Sequence, residues 1–451
     1  MVRASETIRL DDDASAAAEC YRALLKRDLG VRAPARGAAG PHPALSWRRS
    51  RLDQITGARK GSPLMAPAAL TACADGVLAA LGDTAPPGAL RGWNGAALLG
   101  ERALLMGLTR SGQTAPGGAC RLLPALDGWI AVNLPREDDW SAVDAWLGSE
   151  GARDWSAVAS GVRAVRVDEL IETGRLIGLA VAEHKPERAR AWLTRQICGP
   201  RAARAPEARP LVLDLSSLWA GPLCASVLAA LGARVVKVES TTRPDGARGG
   251  EPLFYDLLNW QKQSIALDFG AANGIAALRA LISRADIVIE SARPRALAQL
   301  GVLADRCVAA KAGLTWLSIT GHGRAAPQEE WIGFGDDCAV AAGLSWRMRQ
   351  AHGAPMFCGD AIADPLTGLH AALAAWASWR EGGGEIVALS LAGVTAHALT
   401  SDPVPAIAVR TQAWAALAAD DQHHPYPARR APRPAPSLGA DTARTLAELL
   451  C

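Results

Sequence analysis

The sequence predicts an α/β fold: a doubly wound, Rossmann-like parallel sheet in a large domain, with a smaller α/β domain beside it. Short, almost continuous apolar runs such as PLVLDLSS (210–217) have the composition of parallel strands buried on both faces. Helical runs of about a dozen residues alternate with them, the order that yields a parallel sheet flanked by helices. At 451 residues the chain also exceeds the ~250–300 at which single cores stop growing, so two domains are expected.

Taken in order, DGWIAVNL (127–134) reads as a strand after a turn, and WSAVDAWLGSEG (140–151) as a helix stopped by glycine. DELIETGRLIGLAVA (168–182) gives a helix and then a strand, completing a small α/β unit. After PLVLDLSS, AGPLCASVLAALGA (220–233) carries Gly221 and Pro222 in its first turn and Gly232 at its end, the punctuation of a helix. Strands RVVKVES (234–240) and QSIALDF (263–269) follow, then the helix ANGIAALRALISRA (272–285) and a strand within ADIVIESARP (285–294). Residues 211–300 therefore form the surest half-domain, with ligands expected beyond the carboxyl ends of its strands. Pro/Arg/Gly-rich stretches at 33–43, 198–210 and 425–439 read as linkers, the last leading into a terminal helix. The second divides the chain into 1–200 and 208–451.

Composition narrows the function classes. Apolar residues at 49% and charged residues at 21% describe a globular chain. A net charge of +3 with no basic stripe gives no support to a nucleic-acid surface. The nine cysteines are scattered without a CxxC pair, so reduced thiols are expected rather than disulfides or a metal site. The opening MVRASETIRLDDDASAAAEC lacks the apolar stretch of a signal peptide, and no run of about 18 apolar residues occurs, so a cytoplasmic protein without membrane segments is expected.

An internal repeat is visible as well. Adding 292 to the residue number carries Leu52 to Leu344, Gly61 to Gly353, Pro63 to Pro355, Gly76 to Gly368 and Leu81 to Leu373 without a gap. The same register turns Asp364 into Ala72.

Five ordered segments carry a resemblance: VLDLSSLWAGPLCASVLAALGARVVKVES (212–240), NWQKQSIALDF (259–269), ADIVIESARPRALAQLGV (285–302), LSITGHG (317–323) and IADPLTGLHAALAAW (362–376). Together they resemble family III CoA-transferases, which include formyl-CoA and carnitine CoA-transferases, and the tail APRPAPSLGADTARTLAELL resembles that family's ending. The small-domain insertion that the family carries after its aspartate helix is nearly absent, and DGWIAVNLPREDDWSAVDAWLG resembles it in the N-terminal half instead. The resemblance thus implies a rearranged order: within 1–200 a degenerate large-domain fragment followed by a small-domain-like segment, and in 208–451 a large domain carrying the catalytic aspartate.

What the resemblance implies for the site can be set beside the residues themselves. Asp364 becomes the catalytic nucleophile, forming a mixed anhydride and then an aspartyl-CoA thioester. Read alone, an aspartate before Pro365 is a helix cap. Leu218, Trp219, Lys262, Leu267, Ser291 and Arg293 are implied to bind CoA, with Arg243 and Arg295 in neighbouring loops at strand ends. Gly117 and Gly118 in APGGAC resemble the glycine loop that closes over the aspartate, though they would equally make a plain turn. Asp360 reads as structural, and Asp336 and Asp337 as a solvated turn. No tightly bound cofactor or metal is implied; an acyl-CoA thioester and a carboxylic acid are the substrates, and a homodimer is the assembly expected. Two other functions remain open. An α-methylacyl-CoA racemase would place a histidine where Phe334 stands, and His322 reads as a packed loop residue. A non-catalytic acyl-CoA-binding paralogue would accord with Ser291 and Gln299 in place of the family's asparagine and arginine.

Overall fold

The computed structural model describes residues 16–149, 151, 153–205 and 207–450; the acidic start (1–15) and Cys451 lie outside the described residues. Among the described residues, ten strands form two sheets. The small one holds β1 (Cys120–Pro124), β2 (Trp129–Asn133) and β3 (Ala180–Glu183), all antiparallel. The large one holds β4 (Leu193–Ile197), β5 (Leu211–Asp214), β6 (Arg234–Ser240), β7 (Gln263–Leu267), β8 (Ile287–Glu290), β9 (Thr315–Thr320) and β10 (Glu385–Ser390).

In space the large sheet runs β4-β10-β9-β8-β5-β6-β7. Every pairing from β5 to β10 is parallel, and β4 is added antiparallel along β10. Numbered from β5, the parallel strands stand in the order 3-2-1-4-5-6 of the dinucleotide-binding fold, and the order reverses between β5 and β8. The expected doubly wound sheet is therefore present, and its switch point defines where a ligand crevice opens. The N-terminal half reaches into this sheet through β4, so 198–210 is no loose linker: Cys198 and Gly199 donate their N–H groups to the Gly384 carbonyl, at 3.0 Å each. Arg204 pairs with Asp286 at 2.9 Å.

Two cores sandwich the sheet. One face packs Leu278, Leu281 and Ile282 of the helix Ala272–Arg284, Val308 of the helix Ala304–Ala310 and Leu446 of the helix Thr442–Leu450. The other packs the helices Ala220–Ala230 and Ala363–Arg380. Ala363–Arg380 is buried along nearly its whole length, because a third layer of N-terminal helices, Ala17–Leu29, Leu70–Thr84 and Gly95–Leu105, covers its outer side. A helix apolar all round is stable only when enclosed in this way.

The small sheet shows the alternation that strand geometry requires. Ile130, Val132 and Val181 face one core with the helices Glu137–Leu147, Trp155–Arg163 and Val167–Leu176. Cys120, Leu122, Ala131 and Ala182 point the other way, onto Val340 and Phe357. That second face seats the small unit against the helix Gly335–Ala341, beside the start of the Ala363–Arg380 helix. No helix among the described residues is long and apolar enough to cross a membrane.

Candidate active site

At the switch point, the loops after β5 and β8 are tied together: the Ser217 N–H donates to the Ser291 hydroxyl at 3.0 Å. Leu218 takes a left-handed φ of 69°, a conformation a branched side chain rarely adopts, and its N–H donates to Asp245 at 2.9 Å. Such an outlier is held by its surroundings, and below the loop lies a buried charge network. Lys237 pairs with Asp245 at 2.9 Å and donates to the Ser216 carbonyl at 2.9 Å. Lys262 pairs with Asp214 at 2.7 Å and donates to the Pro222 carbonyl at 3.0 Å. Lys262 is thus saturated within the protein, and burial holds its pKa down at about 8. The resemblance implies that Lys262 binds CoA; here its ammonium braces the β5 loop from beneath. Leu267, also implied to bind CoA, packs in the core on the face covered by the helix Ala272–Arg284.

Arg293 stands differently. It is half-buried at the start of the helix Pro294–Gln299, and burial together with the positive charges of Arg295, Arg136 and Arg243 lowers its pKa. Arg295 pairs with Glu330 and Arg136 with Asp139. Among the described residues no ion pair engages Arg293 or Arg243. A cationic cluster at strand ends beside the switch point is chemically suited to phosphate.

Asp364 lies in the first turn of the helix Ala363–Arg380, whose N-cap position is Ile362, so its carboxylate is not the helix cap. The preceding turn is tight: Gly359 and Ala361 both take positive φ, and the Ala361 N–H donates to Asp336 at 2.9 Å. Two glycines make room for the carboxylate. A Cβ on Gly335 would overlap Asp364 Oδ2, and a Cβ on Gly368, one turn on, would lie 2.7 Å from the Ala220 carbonyl oxygen. The latter approach brings the N-terminus of the helix Ala220–Ala230 to Asp364, and the Ala220 N–H lies on the side of its carboxylate and favours the ionised form. Burial pushes the Asp364 pKa up to about 7, Arg102 opposes, and Asp337 and Asp360 add to the rise.

The N-terminal half closes the site. From the helix Gly95–Leu105, Arg102 donates from Nε and Nη2 to the two oxygens of Asp360, at 2.7 and 2.6 Å, and stacks over Trp219 at 4.7 Å. Gly117 lies against this pair, a Cβ there falling 3.7 Å from Arg102 Nη2 and from Asp360 Oδ1. Gly118 turns the loop with φ 84°. Asp336 and Asp337 are not the solvated turn that paired acids suggested. Asp337 is fully buried and accepts from Asn133 of β2 at 2.8 Å, with its pKa raised by burial to about 6. Asp336 is raised too, by burial and then by the charge of Asp360.

His322, Asp337 and Cys338 converge beside this cluster and are the kind of donors a metal takes. Gly333 closes the space between two of them, since a Cβ there would lie 2.5 Å from Cys338 Sγ and 2.9 Å from His322 Nε2. The thiol donates to the Gly321 carbonyl at 3.3 Å. Arg102 and Asn133 were not singled out from sequence. They lie 258 and 204 residues from their partners, and nothing local in the sequence marks such pairings.

Comparison with known proteins adds the family dimension. Residues 210–442 match the family model described as CoA-transferase family III. An acyl-CoA transferase of Fusarium pseudograminearum is 32% identical over 199 residues, covering 40% of this chain and 44% of the relative. A succinyl-CoA–D-citramalate CoA-transferase of Chloroflexus aurantiacus is 30% identical over 198 residues, covering 41% and 49%. A crystal structure of a CaiB/BaiF family protein from Brucella suis is 28% identical with a TM-score of 0.37, covering 42% of this chain and 53% of that one. The chain spans about half the length of the curated relatives it matches.

Proposed function

The chain belongs to CoA-transferase family III, and on that premise we propose that it moves CoA between an acyl-CoA and a carboxylic acid through a thioester on Asp364. The observation that carries this reading is the setting of Asp364: a half-buried carboxylate near neutral pKa, facing the N-terminal amide of a helix at the carboxyl end of a doubly wound sheet. A carboxylate so poised can serve both as nucleophile and as leaving group. Its attack on the acyl thioester expels CoA thiolate and leaves a mixed anhydride. The thiolate then attacks the aspartyl carbonyl, forming aspartyl-CoA and releasing the donor acid. An acceptor carboxylate reverses both steps and restores Asp364. The Ala220 N–H and the helix dipole behind it stabilise the oxyanion at the aspartyl carbonyl.

Leu218 and Trp219 on the switch-point loop, Ser291 across from them, and Arg293 with Arg243 form the CoA side of the site; CoA enters as substrate. Gly117 and Gly118 cover the acyl side. Racemisation would require a base where Phe334 stands. His322 is a poor substitute, because burial holds its pKa at about 3.

The test is chemical trapping. After incubation with a panel of acyl-CoA thioesters, hydroxylamine should leave a hydroxamate on the peptide containing Asp364, located by mass spectrometry. Asp364→Asn should abolish both adduct and transfer. An unmodified Asp364 across the panel would overturn the proposal, and α-deuterium loss without CoA exchange would favour the racemase.

A further inference from the structure

The internal repeat has a structural counterpart. Under the register of 292, the helix Pro43–Arg49 falls on Gly335–Ala341, and Leu70–Thr84 falls on the first four turns of Ala363–Arg380. The packing partners repeat too. Gly76 faces the Ala18 carbonyl as Gly368 faces that of Ala220, each with a would-be Cβ at 2.7 Å. Each would-be Cβ also meets the Cβ three residues further along the facing helix, Tyr21 at 3.2 Å and Leu223 at 3.1 Å, and that of Gly76 meets the Arg22 nitrogen at 3.2 Å as well. The helices Ala17–Leu29 and Ala220–Ala230 are therefore equivalent, and Leu29-Gly30 answers Leu231-Gly232, both glycines in the left-handed region. The helix after each long helix repeats as well: Asn94 caps Gly95–Leu105 through Ala97 N–H, and Ser390 caps Leu391–Thr400 through Gly393 N–H.

These equivalences pair four charged residues of the site with counterparts in the opposite repeat. Asp364 answers to Ala72, Asp360 to Ala68, Asp336 to Ala44 and, through the caps, Arg102 to Ala398. The exchange is reciprocal in space. Arg102 of the first repeat reaches Asp360 of the second, while the Ala398 carbonyl of the second lies 3.9 Å from Cys73 Sγ of the first. The first position is plugged as well: Asp402, paired with Arg410, accepts from the Ala69 N–H at 2.9 Å. At these four positions one side carries charge and the other alanine, and Asp337 answers to the equally uncharged Leu45. Loss and retention as a set is the pattern expected of groups that act together.

We propose that this chain is a fused dimer with one surviving site, in which Arg102, reaching across from the silent repeat, is the positioning residue that holds Asp360 beside Asp364 and poises that carboxylate for attack. The inference rests on Asp364 being the nucleophile. The groups facing Asp364 are Arg102 from Gly95–Leu105, Asp360 from the turn before its own helix, Asp336, Asp337 and Cys338 from Gly335–Ala341, and the Ala220 N–H. Arg102 is the one cation among them, so its removal leaves Asp360 uncompensated and favours the protonated form of Asp364. Removal of Asp360 frees Arg102 and favours the carboxylate.

The test compares Arg102→Ala with Asp360→Asn in the full chain, reading the Asp364 titration by carbon NMR, with Asp364→Asn assigning the signal, and the pH profile of CoA transfer. Arg102→Ala should raise the midpoint by about one pH unit. Transfer at pH 7 should then fall about fivefold and largely return at higher pH. Asp360→Asn should lower the midpoint, and Arg102→Lys, which keeps the charge without the two-pronged grip, should restore part of it. Two variants that break one ion pair yet shift one carboxyl in opposite directions cannot be explained by loosened packing. Midpoints that do not move, or that move together, overturn the inference. Because the NMR titration needs no turnover, a wild-type chain that forms no aspartyl adduct would fail the transfer reading alone.

Discussion

At the scale of single residues, burial raises the acids of the candidate site, and it acts on one acid outside the site as well. Asp75, in the helix Leu70–Thr84, accepts from the Ala96 N–H at 2.9 Å and the Ser46 hydroxyl at 3.3 Å, yet its pKa is pushed up to about 7. In the unfolded chain it ionises near 4, so between about pH 4 and 7 the folded state binds more protons and stability falls as pH rises. Asp75→Asn removes that penalty while keeping an acceptor for Ala96. Relative to wild type, the variant should gain ~1–3 kcal/mol between pH 5 and pH 8, read by urea unfolding at each pH. A constant difference at the two pH values would refute the assignment. Single residues were also where sequence reasoning erred most. Lys262 was assigned to CoA by the resemblance alone, and the acceptors that hold it here, Asp214 and the Pro222 carbonyl, belong to a strand end and a helix start that only folding brings together. The same holds for Asp337, which Asn133 of the neighbouring sheet engages, and for Asp336, which the turn before the Ala363–Arg380 helix engages through the Ala361 N–H.

Elements were far more legible. Strands β2, β3, β5, β6, β7 and β8, with the helices Ala220–Ala230 and Ala272–Arg284, follow from apolar runs and glycine punctuation, because those signals are local. Strand β4 was missed: it exposes most of LTRQI at a sheet edge and has no apolar periodicity to read. The paired glycines define what helix packing contributes to chemistry. Gly368→Ala and Gly76→Ala press a methyl against an equivalent carbonyl, so each should cost ~1–3 kcal/mol. Only the first displaces Ala220, whose amide faces Asp364. Thioester formation per folded molecule should therefore drop in Gly368→Ala and stay near wild type in Gly76→Ala. Equal losses would mean that the Ala220 contact has no part in the reaction.

At the scale of the whole molecule, the periodicity of 208–451 announced a doubly wound sheet, but it could not say what covers the helix Ala363–Arg380. That information lay in the repeat. A register shift of 292 is weak evidence in an alanine-rich sequence, and it gains force only when Gly76 and Gly368 are seen making the same contact. Once the two repeats face each other, the site draws Asp364 and Asp360 from one and Arg102 and Gly117 from the other, all within a single chain. A site built from separate subunits loses activity on dilution, because dissociation removes half of its residues. Here the covalent link fixes the effective concentration of the two halves, so dilution cannot separate them. Specific transfer activity should therefore be independent of protein concentration from the micromolar range into the low nanomolar, whatever assemblies form at the upper end. Parallel mass photometry would report those assemblies. A fall in specific activity that tracks a dimer-to-monomer transition would show that a second chain supplies something this one lacks.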